Sequence, residues 1–178
     1  GREHVSMASL PDMADRTITI GGYSNTFSIT GWRIGYSVAE ATWAKAIGAM
    51  SDVLYVCAPT PLQYGVAAGI RDLSASFYTG LAKEYQQKRD RFCRALGKAG
   101  LPPCVPQGAY YVLADVSRLP GHTGRERAMY LLEKTRVAGV PGEAFFGGPE
   151  GSRFMRFCMA KTDQDLEQAS QAIERFTA

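Results

Sequence analysis

The sequence predicts an α/β beginning, a long connecting helix and a compact α+β end. Three observations carry that expectation. The run Thr17-Ile18-Thr19-Ile20 alternates β-branched residues and then enters a loop rich in glycine and hydroxyls. Over Phe77–Leu96, the residues Tyr78, Leu81, Tyr85, Phe92 and Leu96 recur at helical steps and draw one apolar stripe down a long helix. Beyond it the pattern shortens to strand, helix, strand and helix, separated by Gly and Pro turns.

Taken in order, the stretch up to about Pro11 is polar and irregular. The first strand, from Arg16, runs into Gly21-Gly22, where a turn or a close backbone approach is expected. A polar loop from Ser24 to Gly31 leads to a second short strand around Trp32–Val38. Glu40–Leu54 reads as a helix, rich in Ala, with Trp43, Ile47 and Met50 at helical spacing. Pro59 and Pro61 interrupt it, and Leu62–Leu73 reads as another helix. Gly97 and Gly100 with Pro102-Pro103 stop the long helix. Gly108–Val116 then reads as a strand, Arg125–Lys134 as a helix, Val140-Pro141-Gly142 as a turn and Arg153–Ala160 as a strand. Thr162 caps a last helix, with Asp163 and Asp165 in its first turn where carboxylates suit the helix dipole. Leu166, Ala169, Ile173 and Phe176 form its expected buried face. Two short strands and their loop do not sustain a sheet core alone, so the early part is expected to need further structure upstream.

Composition narrows the function. With 46% apolar and 21% charged residues in 178, the chain is an ordinary globular protein, which excludes disorder, collagen-like repeats and coiled-coil rods. The net charge of +3 is small and scattered, so neither a nucleic-acid footprint nor a membrane-seeking patch is expected. No stretch approaches the ~18 apolar residues of a membrane span. The start, Gly1-Arg2-Glu3-His4, lacks the apolar run of a secretory signal, and a cytoplasmic protein is expected. Cys57, Cys93, Cys104 and Cys158 are widely spaced without a C-x-x-C pair, so they read as free thiols rather than a disulfide framework or zinc site. With only His4 and His122, a His-rich metal centre is excluded and a Ser-His-Asp triad disfavoured.

Two arginines stand out as candidate site residues. In the first loop, Gly21-Gly22, Ser24, Thr26, Ser28 and Thr30 set backbone N–H groups and hydroxyls beside Arg33, a donor set that suits a phosphate. The plainer reading is a turn with an exposed Arg, and no Gly-Lys-Ser/Thr follows to make it a P-loop. Arg156 shares a strand face with Phe154 and Cys158, while Met155, Phe157 and Met159 take the other. A guanidinium among apolar neighbours calls for an anion, either a structural Asp or Glu or a substrate carboxylate. Tyr110-Tyr111 reads as core packing and Cys158 as an inert small hydrophobe.

Gly22-Tyr23-Ser24-Asn25-Thr26-Phe27-Ser28-Ile29-Thr30-Gly31-Trp32-Arg33-Ile34-Gly35-Tyr36 resembles the signature of class I/II aminotransferases, pyridoxal-phosphate enzymes of fold type I. The resemblance continues through the long helix, through Pro106-Gln107-Gly108-Ala109-Tyr110-Tyr111, and through Val140–Phe145 and Arg153–Ala160. It implies the C-terminal part of the fold type I architecture. Residues 1–76 would be the end of the large cofactor-binding domain, with a partial sheet. Residues 77–178 would be the interdomain helix and the small α+β domain. By the same resemblance Arg33 would bind the cofactor phosphate with Ser24 close by, and Arg156 would clamp the α-carboxylate of the substrate. Gly22 stands where many members carry a phosphate-binding Ser. The substrates implied are an amino acid and a 2-oxo acid, and the parent enzyme is expected to be a homodimer.

Asn25 departs from that pattern. The family places there the lysine that forms the Schiff base with the cofactor and shuttles the proton. An amide nitrogen has its lone pair delocalised into the carbonyl, so Asn25 is neither nucleophile nor base. Lys45, Lys83, Lys88, Lys98, Lys134 and Lys161 all lie outside the motif. The groups that pair with the cofactor ring in the family precede the segment resembling the start of this chain. The expectation is therefore an aminotransferase segment without activity of its own. A non-catalytic ligand-sensing or association module is the alternative, and completion by a partner chain a third reading.

Overall fold

The computed structural model describes residues 4–176, and the expectation of an irregular start at 1–3 lies outside them. Two compact units divide between Tyr78 and Thr79.

In the first unit, 3-10 turns at Met7–Ser9 and Ala14–Arg16 precede strand β1 (Thr19–Gly22), which pairs antiparallel with β2 (Gly35–Val38). Both glycines belong to β1 rather than to a turn after it. The Tyr36 ring, opposite Gly21, lies so close over it that a Cβ there has no room. The second strand starts later than its sequence suggests, because Thr30–Trp32 forms a 3-10 turn and Arg33 adopts a left-handed φ of 56° that interrupts extended backbone. Helix α1 (Ala41–Tyr55) is capped by the Glu40 carboxylate, which accepts from the Thr42 N–H at 2.8 Å. Helix α2 (Thr60–Asp72) starts two residues before the expected Leu62 and so includes Pro61. The proline sits in the first turn, where its missing N–H has no partner to lose. Trp43 and Met50 of α1 are exposed, and among the described residues before Thr79 only Ile34 and Val66 are buried apolar side chains.

Helix α3 (Ala75–Lys98) buries its expected stripe only towards its C-terminal end, at Phe92 and Leu96, while Leu81 and Tyr85 are half-buried and Tyr78 is exposed. Gly97 remains helical. Gly100, at φ 73°, ends the helix, and the Leu101 N–H then donates back to the Leu96 carbonyl at 3.0 Å while both leucines are fully buried. The second unit contains β3 (Pro103–Cys104), β4 (Tyr111–Asp115), helix α4 (Gly124–Thr135), β5 (Val140–Pro141), β6 (Phe154–Cys158) and helix α5 (Asp163–Arg175). The strands make one antiparallel sheet in the order β3-β4-β6-β5. β3 and β5 fall where helix-stop and turn residues were expected, and both are two-residue edge strands, where proline is tolerated. β4 is shorter than Gly108–Val116 because Ala109, at φ 71°, breaks the extension. β6 starts only at Phe154, since Pro149–Arg153 forms a 3-10 turn.

Burial alternates along β4 and β6, so the sheet has one covered and one open face. Val112, Ala114, Met155 and Phe157 point into the core with Phe92, Leu96, Leu131, Leu166 and Ile173 from the helices. Phe92 meets Phe157 edge-on at 5.6 Å. Thr123 caps α4 in a reciprocal box with Glu126, and Thr162 caps α5 by accepting from the Asp165 N–H at 3.1 Å.

Candidate functional site

A hydrogen bond from the Tyr23 N–H to the Ile34 carbonyl, at 3.2 Å, closes the loop between β1 and β2. Ser24 and Arg33 are the next residues on either side of that bond, with Gly22 just before them in β1. Inside it, Phe27 donates to the Tyr23 carbonyl at 3.1 Å and Ile29 to the Ser24 carbonyl at 2.9 Å. The Arg33 guanidinium, exposed, donates to the Thr30 carbonyl at 3.1 Å, which pulls it over its own turn. Asn25 is exposed on this loop.

Glycines on α2 let the loop's aromatic residues seat closely. Trp32 packs over Gly65 and Phe27 over Gly69, one helical turn apart. Phe27 also stacks on Tyr23 at 5.8 Å and meets Phe77 at 6.2 Å. These contacts leave a groove of about 240 Å³ lined by Phe27, Ile29, Trp32, Val66, Leu73 and Phe77. The loop is thus held by aromatic packing, with Ser28, Thr30 and Arg33 exposed and Ser24 and Thr26 half-buried.

Arg156 belongs to the second unit. It sits in β6 between Leu113 of β4 and Val140 of β5, on the open face of the sheet. Its guanidinium carbon lies 4.0 Å from the Tyr111 ring centre and 4.2 Å from that of Phe145. Among the described residues no carboxylate lies within ion-pair distance of it. Of the two anions the sequence allowed, the structural Asp or Glu is therefore not found. Arg153, three residues earlier, behaves oppositely. It pairs with Asp115, Nη2 to Oδ2 at 2.5 Å. Burial works against the Asp115 charge, but hydrogen bonds from Ser117 and Arg153 overcome it and hold the carboxyl at about 2.

Tyr111 and Phe145 escaped the sequence reading. Tyr110-Tyr111 was expected in the core, but Val112 and Ala114 take that face, so strand alternation sends Tyr111 outward. That signal was in the sequence. Phe145 ends the Val140–Phe145 segment of the family resemblance, but its contact with Arg156 depends on how the 3-10 turn Gly142–Ala144 docks. Lys88 is buried and engaged with Glu84 at 2.5 Å and the Lys161 carbonyl at 2.9 Å. Cys93 is also buried, and burial, the dominant influence, raises its thiol pKa. Among the described residues no three His, Cys, Asp or Glu side chains are grouped to hold a metal ion, and no helix is long and apolar enough to cross a membrane.

The model of the aminotransferase class I and II family matches residues 3–173. The chain belongs to this family. Kynurenine–oxoglutarate transaminase 3 of Mus musculus is 34% identical over 197 residues, covering 100% of this chain and 43% of the mouse protein. Aspartate aminotransferase of Pyrococcus abyssi is 34% identical over 174 residues, covering 97% of this chain and 44% of the relative. The solved aromatic aminotransferase of Pyrococcus horikoshii superposes with a TM-score of 0.84 at 33% identity, over 98% of this chain and 46% of that one. A methionine aminotransferase from Escherichia coli superposes at 0.89 and 28% identity, over 97% of this chain and 45% of that one. The architecture is that of fold type I aminotransferases, and the chain spans less than half the length of these relatives.

Family membership implies pyridoxal 5′-phosphate as cofactor. The two ends of that molecule call for different partners. Arg33, Ser24 and the open backbone at Gly22, where a Cβ would touch nothing within 4 Å, are donors suited to a phosphate. The aldehyde end needs an amine, and Asn25 offers only an amide. The residues present suit a phosphate held without a covalent bond at residue 25.

Proposed function

We propose that this chain serves an amino-group transfer between an amino acid and a 2-oxo acid, with Arg156 as the site for the substrate carboxylate. The observation that carries this reading is the Arg156 guanidinium, set 4.0 and 4.2 Å from two aromatic ring centres and paired with no carboxylate among the described residues. Arg33, Ser24 and Gly22 would hold the phosphate of pyridoxal 5′-phosphate, which when bound supplies the electron sink for the chemistry at the substrate Cα. Asn25 stands at the position of the family's lysine in this reading, so the chain by itself moves no proton there and has no transaminase activity. The working assembly is proposed to be a cytoplasmic homodimer.

The test is direct. The purified chain is incubated with the cofactor, an amino acid and 2-oxoglutarate, then reduced with borohydride and digested. No glutamate should form, and the peptide containing residue 25 should carry no reduced cofactor adduct. Asn25→Lys should acquire that adduct. Turnover by the unaltered chain overturns the inactivity. A second reading, a module that binds an amino acid or the cofactor reversibly without turnover, is favoured by the same missing amine at Asn25. Calorimetry that finds saturable, fully reversible binding by the unaltered chain, with the Asn25→Lys variant also inactive, supports it over the first.

A further inference from the structure

We propose that Tyr111 and Phe145 are positioning residues that grip the Arg156 guanidinium and present only its edge to a ligand. The inference rests on the reading of Arg156 as a carboxylate site and adds what makes that site selective. The strand order supplies the geometry. β6 lies between β4 and β5, so Tyr111 reaches Arg156 from the β4 side and Phe145 from the chain that follows β5. The two rings stand 4.0 and 4.2 Å from the same guanidinium carbon.

A guanidinium carries its five N–H groups in its plane, and its two faces carry none. Aromatic rings stabilise the cation through those faces without using a single N–H. A structural carboxylate does the reverse, as Asp115 does at Arg153, consuming the N–H edge. Arg156 is thus charge-stabilised while its donors remain available. The ligand that fits such an edge is a planar carboxylate meeting it in plane, through two parallel N–H···O bonds. A lysine ammonium, with no plane to grip, would be a poor substitute.

The two rings are themselves held. Tyr111 lies 4.5 Å from Tyr110, which meets Tyr85 of α3 edge-on at 6.5 Å. Phe145 is fixed through its turn: its N–H and that of Phe146 both donate to the Gly142 carbonyl, at 2.8 and 3.0 Å.

The experiment uses the full chain and 2-oxoglutarate as probe, with affinity followed by calorimetry and the Arg156 side chain by its Nε–Hε resonance. Each ring contributes roughly three- to fivefold in affinity at a half-exposed cation–π contact, and the pair about tenfold or more. Tyr111→Leu and Phe145→Leu should weaken binding by those factors and broaden the Arg156 Nε–Hε signal, while Tyr111→Phe and Phe145→Tyr restore both. Phe145 is about half exposed, so its replacement leaves the core intact even if Tyr111→Leu disturbs the sheet. If Phe145→Leu keeps wild-type affinity and an unaltered Arg156 signal, the positioning role is overturned. If the unaltered chain binds no 2-oxoglutarate, or Arg156→Gln binds it equally well, the carboxylate reading itself fails and this inference falls with it.

Discussion

Replacing Gly142 with alanine tests the turn that carries Phe145. An added Cβ would lie well under 3.0 Å from the Gly151 carbonyl oxygen, 2.9 Å from the Phe154 carbonyl oxygen and 3.1 Å from the Phe154 Cβ. Two of these neighbours are backbone oxygens, which no rotamer change removes. Gly142 is not among the positive-φ residues, so the conflict is one of space alone. Two effects then oppose. Alanine restricts the unfolded chain, which stabilises by about 0.4–1 kcal/mol. Forcing backbone apart in a packed region costs about 1–3 kcal/mol, and contacts this short belong at the upper end. A net destabilisation of about 1–2 kcal/mol follows. Gly147→Ala is the control, because its Cβ would meet nothing within 4 Å and only the entropic gain remains. Both tryptophans, Trp32 and Trp43, precede Thr79, so their fluorescence is a poor reporter of the second unit. Hydrogen exchange of the β4 and β6 peptides in mild urea follows it instead, and should quicken about five- to thirtyfold in Gly142→Ala. Exchange no faster than in Gly147→Ala would refute the close docking of this turn, and with it the anchoring of Phe145.

Four further outcomes are expected. Phe157→Ala removes a ring only 2% exposed and should cost about 3–5 kcal/mol in the second unit, read as a lowered urea midpoint of its exchange-protected amides; a loss below about 1 kcal/mol would contradict the assigned core. Thr123→Ala breaks the α4 capping box and should cost about 1 kcal/mol, with Thr123→Ser recovering most of it. The Asp115 carboxyl, held at about 2 and below its ordinary 3.8, stabilises the fold above the ordinary value, and this contribution is lost as pH falls towards 2. Asp115→Asn should therefore lose about 1 kcal/mol at pH 7, after allowance for the exposed Arg153, and show a flatter acid profile; an unchanged profile would remove the pair's role. Under a thiol-alkylating reagent the exposed Cys57 and Cys104 should react first and Cys93 last, because burial shields the Cys93 thiol and raises its pKa; mass spectrometry gives the order, and early labelling of Cys93 would contradict its burial.

Much of the fold was legible because periodicity is a local property. The α3 stripe, the α5 face and the alternation about Arg156 all follow from burying one side of a regular element. The misplacements share another cause. Strand ends were set by backbone turns at Arg33 and Ala109, non-glycine residues in left-handed conformation that composition does not announce. The edge strands at Pro103–Cys104 and Val140–Pro141 exist only because a neighbouring strand offers them hydrogen bonds. On α1, Trp43 and Met50 share helical spacing with Ile47 and yet stay exposed, since burial needs a partner surface and not only a stripe.

The sequence by itself determined the class of each major element and the family, and singled out Arg33 and Arg156 as candidates, because each rests on residue type and spacing along the chain. Only the tertiary structure decided what Arg156 touches. The local sequence left a structural Asp or Glu open as its partner, whereas strand order places Tyr111 and Phe145 against it from either side of β6. The physical reason is that a strand specifies which side chains share its face, whereas the neighbours across that face come from distant segments, brought there by the burial of the opposite face.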